Sequence, residues 1–238
     1  MESELKRHRE ERLTIISRPK IRDFILGFQD GLVNTLGLVL GVASAVQNSN
    51  IVLISGVVTT FAESVSMAAV AYTSSKAAHD FYEGQLTREK KEIEDIPHIE
   101  TAEIHDIYYE KGFRGKLLDD IVKKITSDKK LWAETMMAEE LRLYPDDYDK
   151  PVQSGFLVGI SAILGSLIPV VPFFFLSIKS GMITALILSI IVLFAVGAVK
   201  GRITVGKWKK AGIEMMVIGT VAALAGYLVG SMLGAVYA

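Results

Sequence analysis

Five apolar runs, at roughly 24–46, 51–75, 153–178, 182–199 and 213–236, limit what this chain can fold into more than any other feature. A bilayer core is crossed by about 20 apolar residues in a helix, and soluble helices are usually shorter. None of the runs alternates in the manner of the ~10-residue strands of a membrane barrel. The sequence therefore predicts an all-α integral membrane protein with five transmembrane helices. Pro169 and Pro172 predict a kink near the end of the third.

Between the runs the charge lies in blocks. Of 27 acidic residues, five fall in 1–23 and nineteen in 80–149, leaving only Asp30, Glu63 and Glu214 elsewhere. The net charge of −1 is thus a cancellation between segments and gives no argument for a nucleic-acid partner. The absence of Cys excludes disulfides, thiolate zinc sites and iron–sulfur sites.

Lys and Arg flank the cytoplasmic ends of membrane helices. Lys6, Arg7, Arg9, Arg12, Arg18, Lys20 and Arg22 precede the first run, and Lys200, Arg202, Lys207, Lys209 and Lys210 follow the fourth. The turn at 47–50 and the C-terminus carry no charge, and the third-to-fourth turn has only Lys179. Five spans require this alternation. The expected organisation is a cytoplasmic tail or amphipathic lead-in helix at 1–23 and spans 1 and 2 within 24–79. A cytoplasmic acidic helical domain follows at 80–150, and spans 3 to 5 lie within 151–238. The C-terminus is expected on the opposite side from the N-terminus. The tail lacks the apolar stretch of a secretory signal. In the acidic domain, Pro97 suits a helix start, Gly112 a helix end and Ser127 an N-cap.

Glycines four residues apart, Gly27/Gly31, Gly37/Gly41 and Gly226/Gly230/Gly234, are spaced for close helix contact in lipid. Tight packing within one bundle explains them, and a homodimer joined through the first helices is the further expectation.

An ionised carboxylate at the bilayer centre costs roughly 2.5 to 3.5 kcal/mol on insertion scales, so one kept in a span faces a cavity, a partner or an ion. Asp30 and Glu63 are such residues. Asn34 follows Asp30 on the same face, and Met67 follows Glu63 among Thr59, Thr60 and Ser66. Carboxylate, thioether and hydroxyl on one face suit a borderline divalent metal. The alternatives are Asp30 pairing with Arg22 at headgroup depth, and a protonated Glu63 bonded to another helix with Met67 as packing. In the acidic domain Glu89/Glu92 and Glu100/Glu103 are i,i+3 pairs, and Met136, Met137, Glu139 and Glu140 cluster on the last helix. That spacing puts paired carboxylates on one helical face, but a solvated charged face explains it equally.

Together these residues resemble the vacuolar iron transporter family, which includes the yeast Ccc1-like proteins. The match begins with Arg22, Asp23, Gly27, Asp30, Gly31, Gly37 and Gly41 in the first span. It continues through Ser66, Met67, Tyr72 and Lys76, the acidic insert, Ile168 to Phe173, and Lys200 and Gly201 before Trp208. The resemblance implies a five-helix homodimeric antiporter. It would move ferrous iron, and often manganese, out of the cytosol in exchange for protons, with cobalt and zinc as further candidate ions and no prosthetic group. It implies Asp30 and Met67 as ligands in the membrane, and Glu89, Glu92, Glu100, Glu103, Glu140, Met136 and Met137 as metal-collecting residues. Plant-type members carry a glutamate where this chain has Thr59, and Glu63, one turn away on the same face, is expected to replace it. A vacuolar or a prokaryotic plasma membrane fits this reading. The rival functions are a membrane-anchored carboxylate iron oxidase or iron store, which would need Glu-x-x-His pairs that the sequence lacks, and a metal-responsive partner-binding protein.

Overall fold

The computed structural model describes residues 18–46, 48–145, 150–204 and 206–237, and these are helical with no strand among them. Most of the expected lead-in helix at 1–23, the acids at 146–149 and the terminal Ala238 lie outside the described residues. The helices are α1 (Arg18–Ala45), α2 (Ser49–Asp95), α3 (Pro97–Glu110), α4 (Gly115–Thr126), α5 (Lys129–Glu139), α6 (Pro151–Val170), α7 (Pro172–Phe175), α8 (Ile178–Thr204) and α9 (Trp208–Tyr237).

Five helical segments are long and apolar enough to cross a bilayer: α1, α2, α6 with α7, α8 and α9. Their outward faces are apolar. Ile54, Val58, Phe61 and Val65 form a stripe on α2, each about 60–70% exposed, and Val152, Phe156, Ile160 and Leu164 form another on α6. In a soluble protein such stripes would be an aggregation hazard, and in lipid they are the solvent-facing surface. Helix α6 stops at Val170, after which Pro172 opens the short α7, so the expected break falls where proline cannot continue the ladder. The fourth span is longer than its apolar run, because α8 extends through Lys200 and Arg202.

The chain divides into two compact units, Met1–Tyr72 with Val152–Ala238, and Thr73–Pro151. In the first, α1 and α6 lie innermost, with 50% and 56% of their most apolar stretch buried against 17–22% for the other spans. Glycine makes this possible. A Cβ at Gly226 would stand 2.2 Å from the Gly37 carbonyl oxygen, and one at Gly230 would stand 2.0 Å from that of Gly41, so α9 lies backbone to backbone on α1. On its other side Gly27 and Gly31 meet the carbonyls of Val158 and Ala162 on α6. The glycines expected to join two first helices are therefore used within the chain. Leu36, Val39, Val52, Val170 and Phe173 fill one core cluster, and Phe28, Leu32, Leu193 and Met215 another.

The second unit is built on Ile93, Ile104, Leu118, Val122, Ile125, Trp132 and Met136. Helix α4 buries Leu118, Val122 and Ile125, one residue per turn. Pro97 occupies the first turn of α3, and Gly112, at φ +99°, takes the left-handed conformation that ends it. The expected cap at Ser127 is displaced by one residue. The Asp128 carboxylate accepts from the backbone N–H of Lys130 and Leu131, while Ser127 closes α4. Asp has no hydroxyl proton to satisfy and carries the charge that a helix N-terminus favours.

Candidate metal centres

Two sets of carboxylates stand out, one in each unit. In the membrane unit Asp30 lies twelve residues into α1, about 18 Å from its start, and Glu63 lies fourteen residues into α2, about 21 Å from its start. The two helices run in opposite directions, and the residues meet. The Asn34 side-chain amide donates to Glu63 Oε1 at 2.5 Å, the Thr35 hydroxyl reaches Glu63 Oε2 at 3.5 Å, and Asp30 is within hydrogen-bonding reach of Glu63. Both carboxylates are half-buried and Asn34 is exposed at the surface of the chain. Asp30 and Glu63 are thus a facing pair at one level. Met67, half-buried, follows Glu63 by one turn of α2. Thr59 is half-buried one turn before Glu63, and the neighbouring Thr60 hydroxyl donates to the Gly56 carbonyl. Arg22 at the start of α1 pairs with Asp23 at 3.0 Å, and Asp23 also accepts from the Ser154 hydroxyl of α6.

In the second unit Glu89 and Glu92 from α2, Glu100 and Glu103 from α3, and Glu140 at the end of α5 line one small cavity of about 160 Å³ with Arg88 and Gln85. Glu89 and Glu100 are 4% and 3% exposed, and one oxygen of each, Oε2, has no hydrogen-bond partner. A buried carboxylate oxygen without a donor is costly, and it is the kind of acceptor a cation satisfies. Burial, and then the charges of Glu140, Glu100 and Glu92, push the Glu89 carboxyl up to about 7. Burial, and then Glu103, Glu92 and Glu140, push Glu100 up to about 7. Glu140 is raised by burial, Glu103 and Glu92. The cation facing this group is Arg88, which donates to Glu92 Oε1 at 3.0 Å.

Outward-facing acids differ in kind. Glu94 pairs with Lys129 at 2.8 Å and Glu139 with Lys111, as a solvated face would have them. His105 is paired with Asp106, and His98 is exposed. Met136 packs inside the hydrophobic core with Trp132 and Ile104, and Met137 is 1% exposed, so neither thioether lines the cavity with the glutamates. Among the described residues no three His, Asp or Glu side chains converge closely enough to hold a metal as they stand. The five glutamates thus surround a space and would have to draw inward on an ion. Arg88 and Gln85 went unnoticed in the sequence, although Arg88 stands four residues before Glu92, the spacing of a helical ion pair. Thr35 gave no comparable signal, whereas Asp23 stood in the first-span motif beside Arg22.

A family model described as the VIT family matches residues 21–231 of the chain. The chain is 30% identical to a protein named vacuolar iron transporter 1 from Tulipa gesneriana, covering 95% of this chain and 91% of that one. It is 32% identical to a vacuolar iron transporter from Centaurea cyanus, with 94% and 91% covered. To protein CCC1 of Saccharomyces cerevisiae it is 29% identical, with 90% of this chain and 69% of the yeast protein covered.

Proposed function

The chain belongs to the VIT family, and from that premise we propose that it carries ferrous iron, and manganese as a second cargo, out of the cytosol in exchange for protons. The observation that carries this reading is the pair Asp30 and Glu63, two carboxylates brought face to face inside apolar spans and braced by Asn34 and Thr35. Two such groups at one level accept either a proton between them or a divalent cation, and a ligand carboxylate must be deprotonated to bind. Exchange of metal for protons follows from that competition. Met67 supplies a thioether one turn away, a softer ligand that favours iron over magnesium or calcium. The functioning unit in this reading is a homodimer, in a vacuolar or prokaryotic plasma membrane, with the acidic unit in the cytoplasm.

The acidic unit collects the ion. Glu89, Glu92, Glu100, Glu103 and Glu140 offer hard oxygen donors around one cavity, and the unpartnered oxygens of Glu89 and Glu100 support a cation there. Carboxyls held near 7 are partly protonated in a neutral cytosol, so loading releases protons and unloading is easy. A carrier needs such a labile site.

The test is flux through the purified chain in liposomes, run with iron, manganese, cobalt and zinc and with an imposed pH gradient. Metal-dependent flux that moves protons the other way is the expected result. Metal bound or oxidised without flux would point to the rival store or oxidase.

A further inference from the structure

Among the described residues that line the cavity of the acidic unit, one is a cation, Arg88. Lysines answer the outward acids of the same unit, Lys129 on Glu94 and Lys111 on Glu139. Arg88 instead donates from Nε to Glu92 Oε1 at 3.0 Å, one turn along α2. Its charge also opposes the upward push that burial and neighbouring acids give the carboxyls of Glu89, Glu100 and Glu140. It does not reach the deepest acceptors. Glu89 and Glu100, 4% and 3% exposed, each keep an Oε2 without a donor. One guanidinium therefore offsets part of the charge and leaves buried oxygens that a second cation satisfies.

The contact is built to be exchanged. The Arg88 side chain is 67% exposed against 30% for Glu92, so it can leave Glu92 for water without opening the core. An exposed i,i+4 pair is weak, and little is lost when it parts. A divalent ion entering among the carboxylates brings two charges where Arg88 brings one, and it can also meet the oxygens that lack a donor. A sodium or potassium ion replaces like charge with like and gains little. On the premise that the acidic unit collects divalent metal, we propose that Arg88 is the resident counter-cation of this cavity. It holds Glu92 in the metal-free protein, yields that carboxylate to the entering ion and reclaims it on release. Arg88 thereby sets the lability of the site and its preference for divalent over monovalent cations.

Manganese titration of the purified full chain, in an Asp30→Asn, Glu63→Gln background that disables the membrane pair, reads the acidic unit. It is run well above pH 7, where Glu89 and Glu100 are ionised. Arg88→Gln should bind manganese about tenfold more tightly, the effect of removing one charge several ångströms from a divalent ion in a water-like medium. Release to a chelator in stopped flow should slow by a similar factor. Potassium chloride should weaken binding more in Arg88→Gln than in the parent. Arg88→Lys keeps the charge and should stay near the parent, and Lys129→Gln, which removes a charge from the outward face, should leave binding unchanged. Because Arg88 is exposed, its variants should remain folded by circular dichroism. A residue that only orients Glu92 would weaken binding when removed, and a merely solvated ion pair would leave it unaltered. Either result in a parent that binds manganese, or equal tightening in Lys129→Gln, would overturn the role of Arg88 and leave metal collection standing. A parent that binds no manganese would overturn both.

Discussion

Asn34 offers a cation no charge, yet its amide fixes Glu63 from one turn beyond Asp30. Groups that orient a metal ligand are typically worth 10–100-fold in affinity. Asn34→Ala is therefore expected to weaken metal binding at the Asp30 and Glu63 pair by that range while the protein stays folded, measured by titration calorimetry on the purified chain. In the acidic unit the sign of the pH dependence follows from burial. Glu89 and Glu100 ionise at about 7 in the folded unit against an ordinary 4.5, so between those values the folded state holds protons that the unfolded chain has released. Stability contributed by these groups is greatest below 4.5, falls as pH rises through the window, and is flat above 7. The metal-free unit should melt at a lower temperature at pH 7.5 than at pH 5, with Glu89→Gln flattening the slope. Fluorescence of the buried Trp132 in a Trp208→Phe background reads this unit alone. A melting temperature that rises from pH 5 to 7.5 would contradict the assignment. Divalent metal should restore stability chiefly at the higher pH, because it takes the place of the lost protons.

Helices make the difference between glycines that look alike in the sequence. At Gly230 an added methyl group meets the Gly41 carbonyl at 2.0 Å, whereas at Gly84 it meets nothing within 4 Å. Gly230→Ala should cost about 1–3 kcal/mol through separation of α1 and α9. Gly84→Ala should gain about 0.5–1 kcal/mol through helix propensity. Thermal unfolding in detergent compares the two, and equal effects would contradict the packing described. The four-residue spacing of glycines was legible as a contact face, but periodicity names a face and not the helix it meets. The long apolar runs were likewise legible, because lipid imposes length and hydropathy on each span separately. Met136 shows where reading stops, since a thioether on a helix serves equally as ligand and as core filler, and only packing against Trp132 and Ile104 separates the two. The i,i+3 spacing paired four of the glutamates but fitted a solvated face equally well, and their distinction from Glu94 and Glu139 depended on lysines thirty or so residues away in sequence.

At the scale of the whole molecule, the topology we propose puts Ser127 and Ser177 on opposite sides of the membrane. The native chain has no Cys, so single Ser→Cys variants at these two exposed positions can be labelled without background. An impermeant maleimide added to intact cells should modify the Cys of Ser177→Cys and spare that of Ser127→Cys, and the opposite result would invert the proposed direction of transport. In the proposed mechanism the two facing carboxylates, Asp30 and Glu63, are the path for the ion. Its most direct test is iron entry into proteoliposomes that enclose a metal-quenched dye, with Asp30→Asn and Glu63→Gln compared with the parent at equal reconstituted protein. The account predicts flux reduced about a hundredfold or more in each variant. Undiminished flux in both would contradict it.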